Sequence, residues 1–207
     1  MPRERAARKS KQMLNAAQRL FARSGYAAVS MDDIAKTAGV SKATLYAHFD
    51  SKEKLFAEII EIESPHVEER VPIPEVFEGD ADGVLRAFAR GLASFFADGR
   101  GLEIYRLFVT DLHRFPDLVR RFHAAGPMAL RARLSRLLAQ MAERGGLSID
   151  DPDLAADHLT SLIQGRLPFD RAIGLPPPDA AAIDRHVESA LRLFLRGYAR
   201  ASRGGEP

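Results

Sequence analysis

The stretch MDDIAKTAGVSKATLYAHF, Met31 to Phe49, holds two short apolar patterns separated by a single glycine. In the first, Ile34, Ala35 and Ala38 share one side of a helix. In the second, Leu45 and Phe49 fall at i and i+4, while Ser41, Lys42, Thr44, Tyr46 and His48 supply polar groups to a helix of barely two turns. So short a segment, with so many hydrogen-bonding side chains, needs a reason beyond filling a core.

The flanks define where these helices begin and end. Ser30 precedes the first, and Asp33 three residues on completes a capping-box pattern, with Asp32 and Asp33 suited to the positive end of the helix dipole. Ala38-Gly39-Val40 is a turn, and Ser41 is a good N-cap for the second helix. Upstream, Leu14, Ala17, Leu20 and Phe21 form one face of a helix ended by Ser24-Gly25. Downstream, Asp50 or Ser51 caps a further helix through Leu55, Phe56, Ile59 and Ile60.

Two short helices joined by a tight glycine-containing turn describe a helix-turn-helix, whose second helix lies in the DNA major groove. On that reading Leu45 and Phe49 hold the helix to its own domain. Ser41, Thr44, Tyr46 and His48 are placed to hydrogen-bond phosphate oxygens, and Lys42 to reach a phosphate or a guanine edge. Ala43 is small enough for close approach and offers a methyl to a thymine methyl. The bland alternative is a short capped helix in an ordinary bundle. Charge points toward phosphates: residues 1–52 carry ten Lys/Arg against four Asp/Glu, whereas residues 53–207 carry 20 against 24. A solvated basic arm over residues 1–8 explains part of that excess equally well.

The segment MDDIAKTAGVSKATLYAHFDSKEKLF resembles the DNA-binding domain of the TetR (tetracycline-repressor) family of bacterial transcriptional regulators. The likeness is carried by Ile34-Ala35, Ala38-Gly39-Val40-Ser41, Thr44-Leu45-Tyr46, His48-Phe49, Ser51-Lys52-Glu53 and Leu55 at the family's spacing. It implies that Ser30 contacts a phosphate, that Ser41, Lys42, Ala43 and Thr44 enter the groove, and that Tyr46 and His48 grip the backbone. It also implies that Lys52, opening the next helix, faces a phosphate together with the helix N-terminus. Many members carry Gly where this chain has Ala43.

Beyond residue 60 the pattern stays helical. SPHVEERVPIPEVFEGDADG reads as a connection. An amphipathic helix then runs through Leu85, Phe88, Ala89, Leu92, Phe95 and Phe96, and Leu102 to Leu112 is apolar on nearly every side. A long pattern continues from Asp117 to Gly145-Gly146, which Pro127 should kink or split. Pro152 opens another helix, GLPPPD is a loop, and the last helix uses Ile183, Val187, Ala190, Leu191, Phe194 and Tyr198. The expected fold is all-α, about nine helices: a DNA-binding domain over 1–52, with a flexible basic arm 1–8, and a larger helical bundle over 53–207.

EIYRLFVTDLHRFPDL, DPDLAADHLTSLIQG and VESALRLFLRGYA resemble the AefR-like subgroup of C-terminal domains. That resemblance implies a homodimer through the helices Pro152–Gly165 and Asp179–Ala201, hence a palindromic operator in double-stranded DNA. It also implies a pocket between the middle helices for a small apolar or aromatic effector. Phe88, Leu92, Phe95, Tyr105, Phe108, His113 and Phe122 are its candidate lining, although aromatics at helical spacing equally suit plain core. Effector binding would then shift the fourth helix, respace the recognition helices and release a repressor from its operator.

Other classes have less to offer. With no cysteine, disulfides, thiol catalysis and thiolate zinc sites are excluded. Asp111, His113 and His123 do not share a helix face, so no metal or other cofactor is expected. No nucleophile elbow, phosphate-binding loop or HExxH motif marks an enzyme. No apolar run of membrane-spanning length occurs, and a cytoplasmic location is expected. A helical protein–protein adaptor without DNA binding, or an activator on the same fold, remains as an alternative.

Overall fold

A computed structural model describes residues 2–59, 70–97 and 115–199. These are helical wherever they are regular, and among the described residues there is no strand. The chain divides into two compact units: Met1–Pro65 with Glu103–Gly126, and His66–Leu102 with Pro127–Pro207.

The first unit is built on α1 (Pro2–Ser24), α2 (Met31–Thr37), α3 (Lys42–His48) and α4 (52–59). Residues 2–8, expected as a flexible arm, instead continue α1. Gly25, at φ 80°, ends that helix by bonding its amide to the Phe21 carbonyl at 2.9 Å. Met13, Leu14, Ala17, Leu20 and Phe21 of α1 meet Ile34 and Ala35 of α2, Leu45 and Phe49 of α3, and Leu55, Phe56 and Ile59 of α4 in one buried cluster. A boundary after Lys52 would therefore cut through this core, because α4 supplies three of its side chains. Phe115, the N-cap of α6 (Pro116–His123), and Val119 within that helix also pack against it. The Phe115 ring meets Tyr26 edge-on at 4.8 Å.

The second unit contains α5 (Ala81–Ala97), α7 (Ala129–Glu143), α8 (Pro152–Gln164), α9 (Leu167–Ala172) and α10 (Ala180–Gly197). The expected break at Pro127 is a π-helical turn, Ala124–Met128, which absorbs the missing amide and the ring without ending the helical path. Asp151 and Asp179 cap α8 and α10 through the amides of Leu154 and Ala182. Arg131 of α7 bonds Asp153 and Asp157 of α8, and Arg86 and Arg90 of α5 pair with Glu188 and Asp184 of α10. Helix α9, with Pro168 in its first turn, was not legible among the glycines and prolines around it.

The described end of the connection before α5 does more than connect. Val71, Ile73 and Phe77 are buried in the second unit's core. Their backbone is held by α7: Gln140 accepts from the Phe77 amide at 2.7 Å and donates to the Glu75 carbonyl at 3.0 Å, and Arg133 donates to the Ile73 carbonyl at 3.0 Å. Gly91 makes room for this strap. A Cβ there would lie 3.1 Å from both the Arg70 carbonyl carbon and Pro72 Cδ, and closer still to the Arg70 oxygen. A mid-helix glycine costs about 1 kcal/mol relative to alanine; here steric need outweighs propensity. Gly91→Ala is therefore expected to lower thermal stability by roughly 3–8 °C, the effect of overpacking by about 1–3 kcal/mol. A rise in melting temperature would show that the strap yields.

Candidate DNA-binding site

A helix of seven residues has too few internal hydrogen bonds to persist alone. Helix α3 is held by Leu45, fully buried, and by Phe49 at its C-cap, 3% exposed. Its entry is fixed by Ser41, whose hydroxyl accepts the Thr44 amide at 3.1 Å and lies 2.8 Å from the Thr44 hydroxyl. The turn before it needs Gly39, at φ 64°, and the Val40 amide closes onto the Ala35 carbonyl at 3.0 Å. From α1, Gln12 Nε2 donates to the Ala38 carbonyl at 2.7 Å, satisfying an acceptor the end of α2 leaves open.

Helix α2 carries the capping box read from the sequence. Ser30 Oγ accepts from the Asp33 amide, and the Ser30 amide donates to Asp33 Oδ2 at 3.0 Å. Hydrogen bonds from the Ser30 hydroxyl and amide hold the Asp33 carboxyl below its usual range.

With Leu45 and Phe49 turned inward, Ser41, Lys42, Ala43, Tyr46 and His48 are exposed and Thr44 is half-buried. Ser30 is exposed as well, at the start of α2. Tyr46 is 43% exposed, although large and largely apolar. The polar edge expected of a reading helix is present and open. One partner was not foreseen: Lys42 Nζ lies 2.8 Å and 3.0 Å from the two carboxylate oxygens of Asp32. That hydrogen bond and charge raise the Lys42 pKa. From sequence, Asp32 reads only as a dipole-favoured residue, because a ten-residue separation across a turn carries no periodic signal.

Lys52 makes contacts that its place at a helix start does not announce. At the start of α4 its ammonium donates to the carbonyls of Tyr26 and Val29, each at 2.9 Å, and stands 4.3 Å from the Tyr26 ring centroid. It ties α4 to the α1–α2 loop, because those carbonyls lie outside any helix ladder and need a donor. Tyr26 is fully buried among Phe21, Phe56 and Phe115. Burial, reinforced by the Glu53 carboxylate, pushes its phenol well above the usual range; the hydroxyl makes no hydrogen bond of ordinary geometry among the described residues.

The expected effector lining is only partly covered. Phe88 and Leu92 are in the packed core of the second unit, 0% and 2% exposed, and Phe95 lies against that core with its ring edge-on to Phe96 at 5.4 Å. Tyr105, Phe108 and His113 lie outside the described residues, as does the side chain of Phe122. A groove of about 320 Å³ exists elsewhere in that unit, bounded by α5 and α10 with Arg86, Glu188 and Arg192 among its walls, and includes none of these residues. Asp111 also lies outside the described residues; among those described, no cluster of three or more His, Asp and Glu side chains gathers as a metal site. Among the described residues, no helix is long and apolar enough to cross a membrane.

A capped helix pair with an open polar edge, braced by a small helical core, defines a helix-turn-helix transcriptional regulator. The comparisons agree. Residues 13–59 match the model described as bacterial regulatory proteins, tetR family, and residues 83–200 match the AefR-like transcriptional repressor, C-terminal domain. The chain belongs to the TetR family, a family of regulators rather than enzymes. It is 27% identical to the uncharacterized HTH-type transcriptional regulator YvkB of Bacillus subtilis (strain 168), over 91% of this chain and 96% of that one. It resembles the structure of the Flavonoid-responsive Regulator FrrA at a TM-score of 0.79 and 39% identity, covering 94% of this chain and all of that one. A TetR-family regulator from Pseudomonas syringae pv. tomato str. DC3000 aligns at a TM-score of 0.77 and 25% identity, over 92% and 97% of the two chains.

The position of Lys52 has a direct consequence. Lys52→Gln is expected to destabilise the free protein by about 1–3 kcal/mol, since two carbonyls lose a charged donor, as a lowered midpoint in chemical denaturation. Unchanged stability together with weakened DNA binding would mark it as a phosphate contact instead.

Proposed function

We propose that this regulator is a repressor, acting in the cytoplasm, which binds a palindromic operator as a C2 dimer through α3 and is released by a small aromatic effector. The observation that carries the DNA-binding face is the exposed edge of α3 set against the buried Leu45 and Phe49. On this reading Lys42, Ala43 and Thr44 meet base edges, while Ser30, Ser41, Tyr46 and His48 contact phosphates. Repression is favoured by the AefR-like repressor domain matched over residues 83–200. Dimerisation is assigned to α8 and α10, which present exposed Leu154 and Leu193 at 48% and 58%. No cofactor or catalytic group enters the scheme.

The effector class follows from two supports. FrrA, 39% identical over nearly the whole chain, is described as flavonoid-responsive. Phe95 and Phe96 of the second unit are only partly buried against its core, and planar ligands pack well on such rings. A ligand that favours the non-binding arrangement by about 3 kcal/mol weakens operator affinity on the order of a hundredfold.

Selection of bound duplexes from a random pool tests this directly. The expected product is an inverted repeat with half-sites about one helical turn apart. Its binding, followed by fluorescence anisotropy, should weaken on adding a flavone or flavanone and not on adding a fatty acid of similar size. An asymmetric site would contradict the dimer; indifference to both aromatic compounds would contradict the effector class.

A further inference from the structure

The exposed charges of α2 and α3 are arranged unequally. Asp32 and Asp33 are adjacent in the first turn of α2, yet they do different work. Asp33 closes the capping box with Ser30, whereas Asp32 turns its carboxylate to the ammonium of Lys42 on the next helix. Lys42 is the first residue of α3 and reaches both oxygens of that carboxylate, at 2.8 Å and 3.0 Å, with each side chain 61% exposed. The pair therefore lies in solvent, where an ion pair contributes little to folding and can exchange readily. Its significance lies in what it does to the charge of the reading helix.

A free ammonium at this position would add to the attraction for any phosphate, whatever the sequence. Paired, it adds less, because the carboxylate beside it offsets its charge. A phosphate that drew Lys42 away would leave the Asp32 carboxylate uncompensated within a few ångströms of the duplex. An ammonium has three donors; the one shared between the Asp32 oxygens leaves two. These can be satisfied by the uncharged acceptors of a guanine edge, O6 and N7, without separating the pair.

We propose that Asp32 is a specificity-determining residue, which offsets the charge of Lys42 toward phosphates and positions its remaining N–H donors for a base edge. This rests on the reading of α2 and α3 as the DNA-binding face. Asp32 acts through Lys42, so it is a positioning residue, and the salt dependence of binding reports that role where a structural one would not.

The test uses the full-length protein, the duplex selected by the wild type, and a scrambled duplex of equal length and composition, titrated across a range of salt concentrations. Asp32→Asn, which keeps shape and removes charge, is expected to tighten binding to the scrambled duplex about tenfold at low salt, with a smaller gain on the selected duplex, so that the preference narrows. The slope of log affinity against log salt should steepen by about 2 per dimer, one newly available cation per subunit. In Asp32→Asn/Lys42→Gln both effects should vanish, leaving the values of Lys42→Gln alone. An unchanged slope in Asp32→Asn overturns the inference. So does a gain that persists without Lys42, because it would then belong to the general field of the surface. If the wild type binds no duplex even at low salt, this inference and the proposed function fall together.

Discussion

Everything in the first unit turns on the anchoring of a helix too short to stand by itself. Seven residues form few internal hydrogen bonds, so α3 exists because Leu45 and Phe49 are taken up by a core that α1, α2 and α4 build around them. The anchor also fixes direction. With two apolar side chains committed inward, Ser41, Lys42, Ala43, Tyr46 and His48 are left on the outside. Nothing about those polar residues alone would orient them; their exposure follows from burial of their neighbours.

Around that anchor three pairs of polar groups already partner one another. Ser30 with Asp33, Ser41 with Thr44, and Lys42 with Asp32 satisfy one another in the free protein. A ligand at this surface must exchange these interactions for its own, which favours partners that match their geometry over any nearby anion. Lys52 and Tyr26 belong to the support behind the surface. The lysine binds the α1–α2 loop next to the Ser30 cap, and the buried ring beneath it receives Phe115 from the chain's return to this unit.

Much of this was legible in the sequence because the signals were local. Ser30, Ser41 and Ser51 announce helix starts, Gly25 and Gly39 announce ends, and the i, i+4 spacing of Leu45 and Phe49 identifies the buried side. What escaped was long-range. That Lys52 folds back to carbonyls more than 20 residues earlier cannot be read from a helix N-terminus, which looks equally suited to a phosphate. The pairing of Lys42 with Asp32 depends on how the turn sets α2 against α3. Likewise, the proline-rich strap before α5 looked like a linker because prolines break periodicity, although Val71, Ile73 and Phe77 are core. Membership of residues 53–59 in the first unit was hidden for a related reason: a helix's apolar stripe shows that it packs, not which core it joins.

The absence of cysteine from the chain makes its central geometry accessible to a single chemical measurement. Ala43→Cys places a thiol on the exposed edge of α3, and Ala35→Cys places one on the buried side of α2, where the native residue is 3% exposed. Alkylation of both should be timed with and without saturating selected duplex. The account expects rapid labelling at 43 in the free protein, strong protection there by the duplex, and slow labelling at 35 in either state. Slow labelling at 43 in the free protein, or labelling at 43 that an intact DNA complex leaves unchanged, would contradict it.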